Sequence, residues 1–182
     1  MLSVLPVGVV ALLCVAFVGC TADDAPSGGP DKIRIGVSLL TQQHDFYQDL
    51  QEGLEKSAKH HNYALSIQSG EFDAAEQAKQ LQTFVTQKVD AIVVCPCDSA
   101  GVAQAIQRAN DAKIPVFTAD ISAEGGEVVS HIASDNVQGG RLAAETLVRF
   151  MGESGEVIVI DHPEVASVQE RVRGFEEVIA KY

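Results

Sequence analysis

The chain has 182 residues, 25 of them acidic and 13 basic, for a formal net charge of −12. So acidic a surface repels a phosphate backbone, which excludes nucleic acid as a natural partner, and the interspersed charges read as a solvated exterior. A hydrophobic content of 46% without any Trp is ample for a packed core, and the length past the first 31 residues, about 150, suits one domain.

Residues 1–19 contain no Lys, Arg, Asp or Glu, are almost wholly apolar, and close on Phe17-Val18-Gly19-Cys20. An apolar segment ending on a small residue and a Cys resembles a bacterial lipoprotein signal. On that reading residues 1–20 are a leader, Cys20 is the lipidated residue, and the remainder is exported and held to a membrane by its lipid anchor. The segment departs from the pattern in two ways. No positive charge precedes the apolar run, and Phe17 stands where Leu is usual. The run is also about long enough to span a bilayer, although no Lys or Arg anchors it; an uncleaved anchor and a buried helix are the alternatives. Residues 21–31 (TADDAPSGGPD) have the composition of a flexible linker.

Strand and helix signals alternate from there. Residues 33–40 are apolar and β-branched, a strand. Asp45 is placed to cap a helix with Phe46, Leu50, Leu54 and Ala58 on its inner stripe. Residues 64–68 form a short strand. Asp73 with Glu76 three residues on resembles a capping box, opening a helix whose inner face is Ala75, Ala78, Leu81 and Val85. Residues 91–95 (AIVVC) are continuously apolar, as in a parallel strand buried on both faces. Asp98 or Ser99 caps the next helix, with Val102, Ala105, Ile106 and Ala109 inward. Strands follow at 115–119 and 128–132, a helix capped by Asp135 runs to about Met151, residues 157–160 read as a strand, and 168–180 as a helix with Val168, Val172, Phe175 and Ile179 inward. The alternation implies βαβ units, hence an α/β fold with an open parallel sheet covered by helices on both faces. Five strands complete one sheet by residue 132. A lone later strand cannot make another, so the division expected is an N-terminal lobe at 32–133 and the incomplete beginning of a second, C-terminal lobe at 134–182.

Of four cysteines, Cys14 lies in the leader and Cys20 at its end, leaving Cys95 and Cys97. No second Cys pair or His cluster completes a tetrahedral metal set. The two are read as unrelated small side chains whose sulfurs point apart.

In an open parallel sheet the ligand sits beyond the carboxyl ends of the strands. Ser38, residues 41–47, Cys95, Asp98, Ser99, Asp120, Asp161 and His162 occupy such positions. No dinucleotide fingerprint, phosphate loop or nucleophile elbow is present, and no cofactor or metal is implied. His44-Asp45 is an acid/base candidate without a nucleophile beside it. A polar mouth with aromatic rings suits a polyhydroxylated small molecule, whose C–H faces pack on rings while carboxylates and Arg take its hydroxyls.

Residues 126–140 (GEVVSHIASDNVQGG), residues 33–38, Phe46-Tyr47, residues 93–96, residues 114–116 with Asp120, and residues 171–175 together resemble the ribose-binding proteins, type I periplasmic binding proteins. The resemblance implies two α/β lobes that close over a sugar, read by the permease of an ABC transporter, in a monomer of the periplasm or cell envelope that is not an enzyme. Residue by residue it places Ser38 at the cleft edge, Phe46 and Tyr47 stacked on the sugar, Asp120 accepting hydroxyls, Arg171 donating from the second lobe, and residues 132–136 as an interlobe crossing. The sequence departs from ribose binders where Cys95 replaces Asn, where Ile121 replaces Arg, and in a loop between Ser38 and Phe46 two residues longer. These changes remove contacts suited to ribose and point to a larger or less polar ligand. A sensor of the same fold, acting on a chemoreceptor or sensor kinase, and an envelope enzyme using His44 and Asp45 are the alternatives. With its second lobe incomplete, the 182-residue chain is expected to bind sugar poorly.

Overall fold

The computed structural model describes residues 32–152 and 154–182; the leader, the linker and Cys20 lie outside them. The elements are β1 (Arg34–Leu39), α1 (Asp45–His61), β2 (Ala64–Ser69), α2 (Ala74–Gln87), β3 (Ala91–Val94), α3 (Ala103–Asp111), β4 (Val116–Ala119), β5 (Ser130–Ile132), α4 (Asn136–Met151) and α5 (Ala166–Ile179). The five strands form one sheet in the order β2-β1-β3-β4-β5, every pair parallel, which is the fold class the alternation implies.

Strand alternation divides the core between the two faces. Val37 and Leu39 of β1 join Tyr47, Cys95, Ile121 and Val165 on the face covered by α1. Ile92 and Val94 of β3 and Val116 of β4 meet Leu81 and Phe84 of α2 and Ala105, Ile106 and Ala109 of α3 on the other. With apolar side chains on both faces, the central strands read as continuous hydrophobic runs.

Three of the helix starts, those of α1, α2 and α4, follow side-chain chemistry. Asp73 caps α2, its Oδ1 accepting from the backbone N–H groups of Ala75 at 2.8 Å and Glu76 at 3.0 Å. Asp135 caps α4 by accepting from Gln138 N at 2.9 Å. At α1 the cap is His44 rather than Asp45: its Nδ1 accepts from Phe46 N at 3.1 Å, and Asp45 becomes the first helical residue. Leu50, Leu54 and Ala58 keep the expected inner stripe, but at its start Tyr47, at 6% exposure, takes the inner place and Phe46 stands out at 45%. In α2 the inner face holds Gln77 and Gln80 beside Leu81 and Phe84, and Ala75 is exposed.

Two late expectations are corrected. Residues 157–160 are not a strand: they join no ladder of the sheet, and Ile158 and Ile160 are almost fully exposed, because an extended segment without a pairing neighbour leaves its backbone unpaired. In α5 the most buried residues are Ser167, Gly174 and Val178, not the expected stripe. Small residues win there because α4 and α5 cross closely, Gly174 of one over Val137 of the other and Gly140 over Arg171. Arg141 and Glu177 pair across the two helices, Nε to Oε2 at 2.8 Å, while Val172 and Phe175 line a groove with Leu147 and residues 157–160.

Candidate ligand-binding crevice

The chain leaves β1 for β2 on one side and returns to β3 on the other, so the helices on either side of that break diverge and open a crevice beyond the strand ends. A cavity of about 320 Å³ lies there, lined by Leu40 and Thr41 after β1, His44, Phe46 and Tyr47 at the start of α1, Phe72 after β2, Asp120 after β4, and Arg171 of α5. That volume is in the range of small-molecule sites. Phe46, Tyr47, Asp120 and Arg171, singled out from sequence, therefore share one crevice.

Asp120 occupies the first position past β4 with φ +64°, a left-handed conformation that Asp tolerates better than most residues. Its N–H donates to Ile132 O of β5 at 2.8 Å, and its Oδ2 accepts from the Tyr47 hydroxyl at 2.7 Å. Burial, then the Asp120 carboxylate beside it, raises the Tyr47 pKa, so the hydroxyl stays a neutral donor. One oxygen of Asp120 is thus oriented by the protein. Phe46 packs edge-on to Tyr47 with ring centroids 5.1 Å apart, a favoured aromatic geometry that fixes the exposed ring.

The loop after β1 is tied to the turn after β2 through one carboxylate. Glu71 accepts from Thr41 Oγ1 at 2.9 Å, Gln42 N at 3.0 Å, Gln43 Nε2 at 2.7 Å and Ser69 Oγ at 2.6 Å. These bonds, the Ser69 hydroxyl foremost, pull its pKa down to about 2. The loop between Ser38 and Phe46 is therefore pinned.

Arg171 reaches the crevice because α5 is fastened at its start. Val165, 3% exposed, inserts among Leu40, Cys95, Cys97 and Ile121. Ser99 N donates to Glu164 O at 3.0 Å, and Ser99 Oγ accepts from Ala166 N at 3.0 Å.

Several residues expected in the crevice, Ser38 and Cys95 foremost, are elsewhere. Ser38 is fully buried; strand alternation turns it toward α2, where its Oγ donates to Gln80 Oε1 at 2.8 Å and accepts from Gln77 Nε2 at 3.2 Å. Gln77 also donates to Cys95 O at 2.9 Å and accepts from Cys97 N at 2.8 Å, so this pair of glutamines holds the ends of β1 and β3 together. Cys95 lies beneath the crevice, not in its wall. Both thiols are unpaired and buried in the same apolar cluster rather than pointing apart, since residues two apart on an extended chain share a face. Burial pushes Cys95 up to about 12 and Cys97 to about 11. Ile121 is likewise buried. Asp161 and His162 are exposed and His162 pairs with Glu164 at 3.4 Å. Sequence reasoning missed Phe72, whose exposure in a turn carries no periodic signal.

Residues 35–182 match the periplasmic binding protein domain. The chain is 33% identical over 158 residues to the ribose import binding protein RbsB of Bacillus subtilis, covering 86% of this chain and 52% of that protein. It is similar in structure to an ABC transporter solute binding protein from Agrobacterium vitis bound with α-D-tagatopyranose (TM-score 0.77, 31% identity, 82% of this chain and 54% of that one). It is also similar to the Caulobacter myo-inositol binding protein bound to myo-inositol (TM-score 0.77, 26% identity, 82% and 51%). The chain thus spans about half the length of the relatives it matches and belongs to the periplasmic binding protein domain family.

Proposed function

We propose that the chain is part of an extracytoplasmic solute-binding protein that captures a sugar or related polyol between two lobes, residues 32–133 and a lobe that includes residues 134–182, for delivery to an ABC importer. The observation that carries this reading is the gathering of Phe46, Asp120 and Arg171 around one cavity. The ring offers a face to sugar C–H groups, the carboxylate accepts hydroxyl protons, and the guanidinium donates in a planar fork. The ribose import and ligand-bound relatives support the substrate class.

The mechanism is binding without covalent chemistry. Asp120 follows β4, whereas Arg171 lies on α5. A ligand that bonds both links the lobes and shifts the population toward the closed form by its extra contacts there. His44 has Nδ1 committed to the Phe46 N–H, which fits a structural cap rather than a general base. Export through the leader, a lipid tether at Cys20, residence in the periplasm or cell envelope, and action as a monomer complete the proposal.

The test is calorimetric titration and thermal shift with a panel of pentoses, hexoses, deoxy sugars and polyols. It uses protein carrying residues 32–182 with any further sequence its gene encodes. At least one sugar is expected to give saturable heat, and Asp120→Ala or Arg171→Ala to weaken it about 10-fold or more, as for a lost charged hydrogen bond. Neither heat nor thermal shift with any member of the panel overturns the proposal.

A further inference from the structure

Resting on that reading, we propose that Phe72 determines ligand specificity in the crevice, its ring selecting sugars that present a deoxy carbon, a methyl group or a bare C–H face over those that present a hydroxyl.

The fold gains little from this ring. Phe72 is 58% exposed and belongs to neither core cluster. Its backbone has φ +64°, directly after Glu71 at φ +47°. Two consecutive left-handed residues that are not Gly cost about 1–2 kcal/mol each. An unburied Phe returns little of that by hydrophobic transfer. The ring nonetheless lines the same cavity as Phe46, Asp120 and Arg171.

Its mount is rigid. Phe72 N donates to Leu40 O at 3.1 Å, Gly70 N to Leu39 O at 2.9 Å, and Asp73 N to Gly70 O at 2.8 Å. Glu71 clamps Thr41, Gln42, Gln43 and Ser69 on one side, and Asp73 caps α2 on the other. A side chain supported in this way discriminates by shape rather than yielding to the ligand.

The polar inventory of the wall points the same way. Thr41 is committed to Glu71 and Gln43, one oxygen of Asp120 to Tyr47, and Nδ1 of His44 to Phe46. Cys95 and Ile121 are sealed in the apolar cluster. Among the side chains of the described residues that line the cavity, ligand hydroxyls are left with Arg171, the Asp120 carboxylate, the Tyr47 hydroxyl oxygen as an acceptor and Nε2 of His44. A hydroxyl pressed against Phe72 finds no partner there and is desolvated without return.

The test compares matched sugars, 2-deoxy-D-ribose with D-ribose, 6-deoxy-D-glucose with D-glucose and L-rhamnose with L-mannose, by calorimetry on the same protein. In the unmodified protein the deoxy member of at least one pair is expected to bind about 10-fold tighter, the scale on which an apolar wall rejects a hydroxyl. Phe72→Gly and Phe72→Asn both suit left-handed backbone and remove the ring; each is expected to bring that ratio to within about 3-fold, with circular dichroism unchanged. Binding that persists with the ratio unmoved in both variants overturns the role of Phe72 and leaves the sugar-binding proposal standing, as does a preference for the hydroxylated member of every pair. Absence of binding across the whole panel removes both.

Discussion

Replacing Gly140 by Ala tests the seat of α5 and, through it, the position of Arg171. A Cβ built at Gly140 falls 2.8 Å from the carbonyl carbon of Arg171 and 2.9 Å from Phe175 N. Both are backbone atoms that cannot swing aside as a side-chain tip does, so the helices must separate. Overpacking of this kind costs about 1–3 kcal/mol, and a contact with backbone belongs at the upper end. Ala returns about 0.5–1 kcal/mol through helix propensity. The balance is a loss of about 2 kcal/mol, or about 4–8 °C in the midpoint for a chain of this size. Gly139, one position earlier in the same helix, has nothing within 4 Å of a built Cβ. Gly139→Ala therefore receives the propensity gain alone and is expected to stabilise by about 0.5–1 kcal/mol. Urea unfolding followed by circular dichroism measures both, and sugar titration should show weaker binding for Gly140→Ala only. If Gly140→Ala matches or exceeds Gly139→Ala in stability, α4 and α5 do not cross this closely and Arg171 loses the support that aims it at the crevice.

Three further outcomes follow from the site's chemistry. Glu71 has a folded pKa of about 2 against an ordinary 4.5. The stability it contributes is therefore present above pH 4.5 and lost as pH falls toward 2; Glu71→Gln should flatten that part of the acid-unfolding curve, and an unchanged curve contradicts the clamp. Asp73→Ala removes the α2 cap and is expected to cost about 1 kcal/mol, measured as a lower urea midpoint at constant slope. With thiols raised to about 12 and about 11, Cys95 and Cys97 should react with a thiol reagent far more slowly in the native protein than in guanidinium at pH 8; equal rates contradict their burial.

The sheet was legible because AIVVC at 91–95 and the alternating helices leave few ways to arrange parallel strands. Asp73 and Asp135 announced their helices because capping needs one short acceptor at one position. Asp45 misled because His44 also carries an acceptor, and Tyr47, three residues before Leu50, occupies the inner stripe where Phe46, four before it, was expected. Gln77 and Gln80 were illegible, since a polar residue on an inner helix face is stable only when the opposite strand supplies partners such as Ser38. The apolar run at 157–160 carried a strand's composition, but pairing is a property of neighbours and no strand of the sheet adjoins it. In the crevice, Phe46, Tyr47 and Asp120 were legible from their places past the strand ends, and Arg171 through the resemblance. Ser38 lies inside β1, where period-two alternation turns it to the α2 face opposite Val37 and Leu39, and Phe72 was missed because turn residues follow no period.

The most direct test is a crystal structure of the protein with the tightest-binding sugar of the panel. The sugar is expected between Phe46 and Arg171, with one hydroxyl within about 3 Å of the Asp120 carboxylate. Sugar density elsewhere, or Phe46, Asp120 and Arg171 facing separate surfaces, contradicts the account.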